Sequence, residues 1–309
     1  MSPLKKSSSS ASSPSKRTSK TKGVRDRALL LRRYRYGESS LLVHALSEHH
    51  GRVALLAKGA YRLRSGFFGV LDLFDTLELE WKPPKETENQ KGANRGDMQA
   101  SGERLGTLSK ARILVRRRAL SQNLARYRSA STMLELARLG SMEEGPEREL
   151  FQSLDSALDG LCHPRSDPLV AQLSFDLAFL SRMGIAPALG HCASCGRSSH
   201  GGNLRPKAHF SHLRGGLLCS ACSETGVSSQ QRVHGDRVET LPWEWVRAAQ
   251  ALSDRAESQD PKDPALLQKD TPKEIQTALA RLITTYLEHH LERRFKSRPK
   301  WSRPRRKAP

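Results

Sequence analysis

The residue types with the most chemical potential in this chain are gathered in one stretch, 191–224, which holds four of its five cysteines. Cys192 and Cys195 form one Cys-x-x-Cys pair, Cys219 and Cys222 form another, and 23 residues separate the two. Two thiolates at that spacing bite one ion, and a second pair closes a tetrahedral shell with no open position. The pattern predicts one structural Zn²⁺ in a zinc-ribbon-like module over 191–223. Gly196, Gly215 and Gly216 allow the turns such a module needs.

Two chemically active readings compete with this one. A nucleobase deaminase places His-x-Glu ahead of Pro-Cys-x-x-Cys and keeps a metal position open for water. Here His290-Leu291-Glu292 follows the cysteine pairs, and His191 and Leu218 precede Cys192 and Cys219. A thioredoxin-like redox role needs one pair at a helix start after a strand, and leaves the second pair without a purpose. His191, His200, His209 and His212 are further donors, but four cysteines saturate one zinc, so they are expected at the surface or facing nucleic acid. Cys162, alone on an apolar helix face, is expected to be a buried thiol. There is no Gly-Lys dipeptide, no G-x-G-x-x-G, no G-x-S-x-G and no H-E-x-x-H, which lowers the case for a nucleotide hydrolase or metalloprotease. A binding protein, not an enzyme, is the leading class.

The net charge of +20 over 309 residues makes an anion the expected partner. Much of it sits in two tails: residues 1–25 carry seven Lys/Arg and residues 293–309 carry nine, neither with an acid. Within the body, Arg27, Arg32, Arg33, Arg35, Arg52, Lys58, Arg62 and Arg64 form one basic cluster, and a second runs acid-free from Arg104 to Arg128. No apolar run approaches the roughly 20 residues that cross a bilayer, so a soluble, cytoplasmic protein without a membrane partner is expected. The Ser/Lys-rich segment 1–24 reads as a disordered basic tail, although its composition overlaps that of organelle transit peptides.

The elements that must position these groups follow from hydrophobic period. Residues 27–81 read as short strands punctuated by Gly37, Gly51 and Gly66, suggesting a small barrel or sandwich. Residues 82–104 lack apolar period and read as a loop, with a last strand returning at Leu105. Helical period then takes over: Leu120 to Leu136 marks one helix, Leu150 to Leu161 a second opened by Pro146, and Leu169 to Leu180 a third closed by Gly184 and Pro187. Two more helices start near Pro242 and Pro272. The expected fold class is α+β multidomain: a β-barrel over 25–112, an all-α helical domain over 113–190 and 240–298 with the four-cysteine module inserted, and a basic tail over 299–309.

The stretch "RRYRYGESSLLVHALSEHHGRVALLAKGAYRLRS" resembles the RecO family of bacterial recombination mediators, in Tyr36-Gly37-Glu38, Gly51, and Lys58-Gly59-Ala60 followed by Arg62, Arg64 and Ser65. "FLSRMGIAPALGHCASCG" and the late Lys296-Ser297 extend the likeness over roughly 25–298. The resemblance implies an OB-fold barrel, a helical domain with a zinc module, binding of single- and double-stranded DNA, and strand annealing. It also implies docking on the acidic tail of single-stranded-DNA-binding protein, work with RecR to load RecA, and a place at the nucleoid. The long N-terminal tail, the 82–104 loop and the C-terminal extension depart from the family pattern. An OB barrel binds strands through a basic groove with aromatic platforms. Arg32, Arg33, Arg35, Arg52, Lys58, Arg62 and Arg64 are the candidate DNA-binding residues, and Tyr34, Tyr36, Tyr61, Phe67 and Phe68 the candidate platforms. About six phosphate contacts would cost ~10³-fold in affinity between 50 and 200 mM salt. Arg116, Arg117, Arg118, Arg126 and Arg128, expected on one helix, are candidates for the acidic protein tail or for DNA. An RNA-binding OB and zinc protein is the reading that a DNA-versus-RNA competition would separate.

Overall fold

The computed structural model describes residues 23–84, 104–143, 145–198, 207–228, 237–257 and 271–299. Residues 1–22 of the first tail, 85–103 of the expected loop, His200, and 300–309 of the last tail lie outside them.

Five strands close a barrel in the order β1-β2-β3-β5-β4: β1 (Val24–Tyr36), β2 (Ser40–Ser47), β3 (Gly51–Ala57), β4 (Thr76–Lys82) and β5 (Leu105–Val115). Every pairing is antiparallel except β3 with β5. This is the barrel that the strand spacing suggests and the OB-fold that the resemblance implies, and a closed sheet leaves no bare edge. Closure requires a close approach at Gly106, where a Cβ would meet Leu55 Cδ2 at 2.9 Å and the Lys82 carbonyl at 3.0 Å.

The run Ala28–Leu31 is continuously apolar because β1 is covered on both sides. Ala28 and Leu30 join Val43, Ala45, Leu77, Leu79 and Trp81 inside the barrel, whereas Leu29, Leu31 and Leu46 pack into the helical core. A register shift between Leu30 and Arg32 then restores alternation. Beyond it Arg33 and Arg35 pair with Val43 and Leu41 on the interior side, while Arg32 and Tyr34 share the opposite side with His44 and Leu42.

The helical domain contains α1 (Arg118–Gln122), α2 (Leu124–Gly140), α3 (Arg148–Cys162), α4 (Pro168–Arg182), α5 (Ser220–Ser228), α6 (Trp243–Glu257) and α7 (Lys273–His290). The first expected helix is two helices. Asn123 breaks the run with extended backbone, and its side chain accepts the Arg126 amide at 3.1 Å to start α2. Leu124 and Tyr127 are consequently exposed instead of joining the core. The helix expected from Leu169 opens at Pro168, where Asp167 accepts the Leu169 and Val170 amides and Pro168 occupies the first turn.

A small sheet, β7-β6-β8, is formed by β6 (Lys207–Ser211), β7 (Gly216–Leu218) and β8 (Val238–Pro242). Phe210, Leu217 and Leu241 belong to the same buried cluster as Leu173, Phe179 and Tyr286. The cysteine module thus shares the helical core, and β8 carries its sheet past residue 223. After α7 the chain folds back. The Glu135 carboxylate accepts the Lys296 and Ser297 amides at 3.0 and 2.8 Å, and Arg298 pairs with Asp176.

Candidate metal centre and nucleic-acid interface

The first cysteine pair sits on a tight turn in which the Gly196 amide donates to the Cys192 carbonyl at 2.9 Å and Gly196 has φ +72°. The Ala193 amide donates to the Leu217 carbonyl at 2.7 Å, fixing this turn to β7. Cys219 follows β7 directly and Cys222 lies in the first turn of α5. That strand-to-helix placement is what the redox reading asks of one pair, yet the other pair is packed against it. All four Sγ atoms lie within 4.8 Å of one another, with Cys195 and Cys219 at 3.7 Å. Metal–sulfur bonds of about 2.3 Å in a tetrahedron require sulfurs about 3.8 Å apart. The cluster can hold one metal ion and contains no His or Glu.

The electrostatics of the thiols point the same way. Burial pushes the Cys192 thiol up, but the amides of Cys219, Cys195 and Ser194 outweigh it and hold it down at about 6. Hydrogen bonding with Cys219 and Cys195 pushes Cys222 up to about 12. One sulfur is prepared to be an anion while another keeps its proton, and a cation is what lets all four carry charge together. Cys162 is half-buried, and burial raises it. His212 departs from the expectation of a surface residue: its side chain is 1% exposed and Nε2 lies 3.1 Å from Glu239.

On the barrel, the seven candidate cations divide. The Arg35 guanidinium stacks 5.1 Å from the Tyr61 ring, and Lys58, Arg62 and Arg64 are exposed on the loop after β3 with no ion pair among the described residues. The turn after β1 and this loop are tied by the Tyr61 amide donating to the Ser39 carbonyl at 2.9 Å. Arg32 stacks 4.5 Å over Tyr34 on the other side of the sheet. Arg33 and Arg52 depart from the expected role. Arg33 donates to the Leu71 carbonyl at 2.6 Å and pairs with Asp72, and Arg52 donates to the Arg138 carbonyl at 2.8 Å and to Glu143 at 2.5 Å. Both tie segments of the protein together, because an arginine fork bonds carbonyls as readily as phosphates. Of the aromatics, Tyr36, Tyr61 and Phe68 are exposed, Tyr34 is half-buried against His44, and Phe67 packs on the barrel core.

Three of the second arginine set, Arg116, Arg117 and Arg126, are engaged within the protein. Arg116 and Arg117 precede the helix expected to carry them. Arg117 has a 1% exposed side chain that donates to Asp159, Asp155, Thr76 and the Phe74 carbonyl, bracing barrel against helices. Arg116 faces Asp75, and Arg126 donates to the carbonyls of Cys162, His163 and Pro164 at the end of α3. Arg118 is exposed, and Arg128 alone of the set lines a groove of about 690 Å³ between α2, α4 and α7. Lys273, Leu169, Ala280 and Arg298 share that groove. Arg298 contributes only to the wall, its guanidinium being held by Asp176, and Lys273 has nothing in its local pattern that places it beside Arg128.

Residues 22–94 match the family described as Recombination protein O N terminal, and residues 121–237 match Recombination protein O C terminal. The chain is 31% identical over 270 residues to the DNA repair protein RecO of Anaeromyxobacter dehalogenans, covering 87% of this chain and 92% of that one. It is 29% identical over 275 residues to the DNA repair protein RecO of a Nocardioides species, with 88% and 96% covered. For the DNA repair protein RecO of Rhodopirellula baltica the figures are 29% over 232 residues, with 74% and 75% covered.

Proposed function

Since the chain belongs to the RecO family of DNA repair proteins, we propose that it is a non-enzymatic recombination mediator that binds single- and double-stranded DNA and anneals complementary strands. The observation that carries this reading is the group of Arg35, Lys58, Arg62 and Arg64, exposed beside Tyr36 and Tyr61 at one end of the OB barrel. Cations without internal partners neutralise phosphates, and sequence-neutral contacts leave bases free to pair. Four phosphate contacts on a single strand give a log–log salt slope of about −2.8, or ~50-fold loss of affinity between 50 and 200 mM salt. That is smaller than a seven-residue track would give, because Arg33 and Arg52 are engaged by other segments of the protein and Arg32 faces away.

The test is a salt titration and annealing assay on the full chain. Alanine at Arg35, Lys58, Arg62 or Arg64 is expected to flatten the slope by about 0.7 each, and alanine at Arg33 or Arg52 to leave it unchanged. Preference for RNA without annealing overturns the reading in favour of an RNA-binding protein.

Zn²⁺ is the metal proposed for Cys192, Cys195, Cys219 and Cys222, where it would neutralise the thiolates and fasten the turn at 192–196 to β7 and α5. One zinc per chain by native mass spectrometry, lost in Cys219→Ser together with stability of the module, is the expected result. The groove of Arg128 and Lys273, with Leu169 and Ala280 as its apolar floor, suits an acidic, apolar tail such as that of single-stranded-DNA-binding protein. Of the arginines first considered for that tail, Arg128 is retained. RecR as co-mediator, RecA loading as the outcome, and a cytoplasmic, nucleoid-associated location complete the proposal. Among the described residues no helix is long and apolar enough to cross a membrane.

A further inference from the structure

The loop after β3 carries an exposed apolar side chain that neither core explains. Leu63 is 89% exposed, more than any other large apolar residue described, and Phe68 in the same loop is 62% exposed. A single exposed leucine is ordinary; the setting of this one is not. It lies between Arg62 and Arg64, both exposed, in a stretch from Gly51 to Leu71 that contains no acid. The loop is also held rigidly. The amides of Arg62, Ser65, Phe68 and Val70 donate to the carbonyls of Gly59, Arg62, Ser65 and Phe67 at 2.8–3.1 Å, a chain of successive tight turns. Ala60 and Leu71 are buried in the barrel at its two ends, Phe67 packs inward at its middle, and Gly59 and Gly69 take the left-handed backbone at φ +67° and +69°. A loop so anchored holds Leu63 outward at little further entropic cost.

We propose that Leu63 is a wedge that enters the base stack where a single strand meets a duplex, with Arg62 and Arg64 holding phosphates on either side of it. This rests on the DNA-binding reading above and adds to it a structural preference within DNA. Any polyanion that reaches the two arginines is brought against Leu63. Inserting an apolar side chain into continuous duplex requires unstacking a base step, whereas at a junction one neighbour is already missing. The loop therefore selects the advancing end of a newly annealed duplex over its interior, and Phe68 and Tyr61 offer faces on which the displaced base can rest.

The experiment places 2-aminopurine at the junction step of a partial duplex, and in a second oligonucleotide at the middle of a continuous duplex, and titrates each with the full chain. The unsubstituted protein is expected to raise fluorescence at the junction and to favour the junction oligonucleotide by about 10-fold, the worth of one buried leucine. Leu63→Gln, at an exposed position that leaves the fold intact, is expected to lose both the signal and the preference at unchanged salt slope. Arg62→Ala is expected to flatten the slope for both oligonucleotides. Junction signal and preference that survive Leu63→Gln overturn the wedge and leave DNA binding standing. So does a Leu63→Gln variant that handles both oligonucleotides normally but no longer binds RecR, since the loop would then be a protein contact. Absence of salt-dependent binding to either oligonucleotide by the unsubstituted protein sinks the wedge and the DNA-binding reading together.

Discussion

Replacing Arg117 with alanine should destabilise the protein by about 3–4 kcal/mol without altering its interaction with DNA. The guanidinium is 1% exposed and spends all five N–H groups: Nε on Asp159 at 2.7 Å, Nη1 on Thr76 Oγ1 and the Phe74 carbonyl at 2.8 Å each, and Nη2 on Asp155 at 2.8 Å and its carbonyl at 3.3 Å. Removing one partner of a buried ion pair costs about 3–5 kcal/mol, chiefly through the charge left behind. Asp159 is 57% exposed and returns to water at little cost. Asp155, 14% exposed, keeps Arg27 at 3.2 Å, so the lower part of that range applies. The remaining cost lies in the Phe74 carbonyl and the Thr76 hydroxyl, which lose a buried donor. Urea unfolding at neutral pH measures the difference, and Arg117→Lys should recover only part of it, since one ammonium cannot reproduce the fork. A loss below about 1 kcal/mol, or a change in the salt slope of DNA binding, refutes the assignment of Arg117 as an internal brace.

Two other perturbations follow from buried carboxylates. Burial pushes Asp26 up, but bonds from Ser47, His49 and His50 outweigh it and hold it down at about 2, against 3.8 for the free group. A depressed folded value stabilises above the unfolded one, so about 2 kcal/mol should be present near pH 7 and vanish as pH falls through 4 towards 2. Asp26→Asn should show that gap in denaturant midpoints at neutral pH, and an equal gap at pH 2 would contradict the linkage. Asp176 and Arg298 form a bidentate pair at 2.7 and 2.8 Å with both side chains at most 1% exposed. Asp176→Ala alone is expected to cost about 3–5 kcal/mol, whereas Asp176→Leu with Arg298→Met should unfold close to the unsubstituted protein. A double variant as unstable as the single one would mean that the pair, not the filled volume, holds the C-terminal segment.

Much of the architecture and the cysteine cluster is written in local pattern. The two Cys-x-x-Cys pairs announce four sulfurs that can share one ion, because each pair needs only one turn to converge. The barrel strands show as short runs between glycines, and the leucine period from Leu169 to Leu180 marks α4. What local pattern could not assign is the fate of each arginine. Arg33, Arg52, Arg62 and Arg117 look alike in sequence, yet Arg33 ties β1 to the loop after β3, Arg52 and the buried Arg117 join the barrel to the helices, and Arg62 reaches solvent. That difference depends on which carbonyls and carboxylates lie within about 3 Å after folding, and those come from residues as far away as Arg138 and Asp159. The burial of His212 and the groove joining Arg128 to Lys273 have the same origin. Composition and spacing determine which groups the chain possesses and how its elements begin and end; tertiary packing alone decides which charges are consumed in holding the protein together and which remain for a partner.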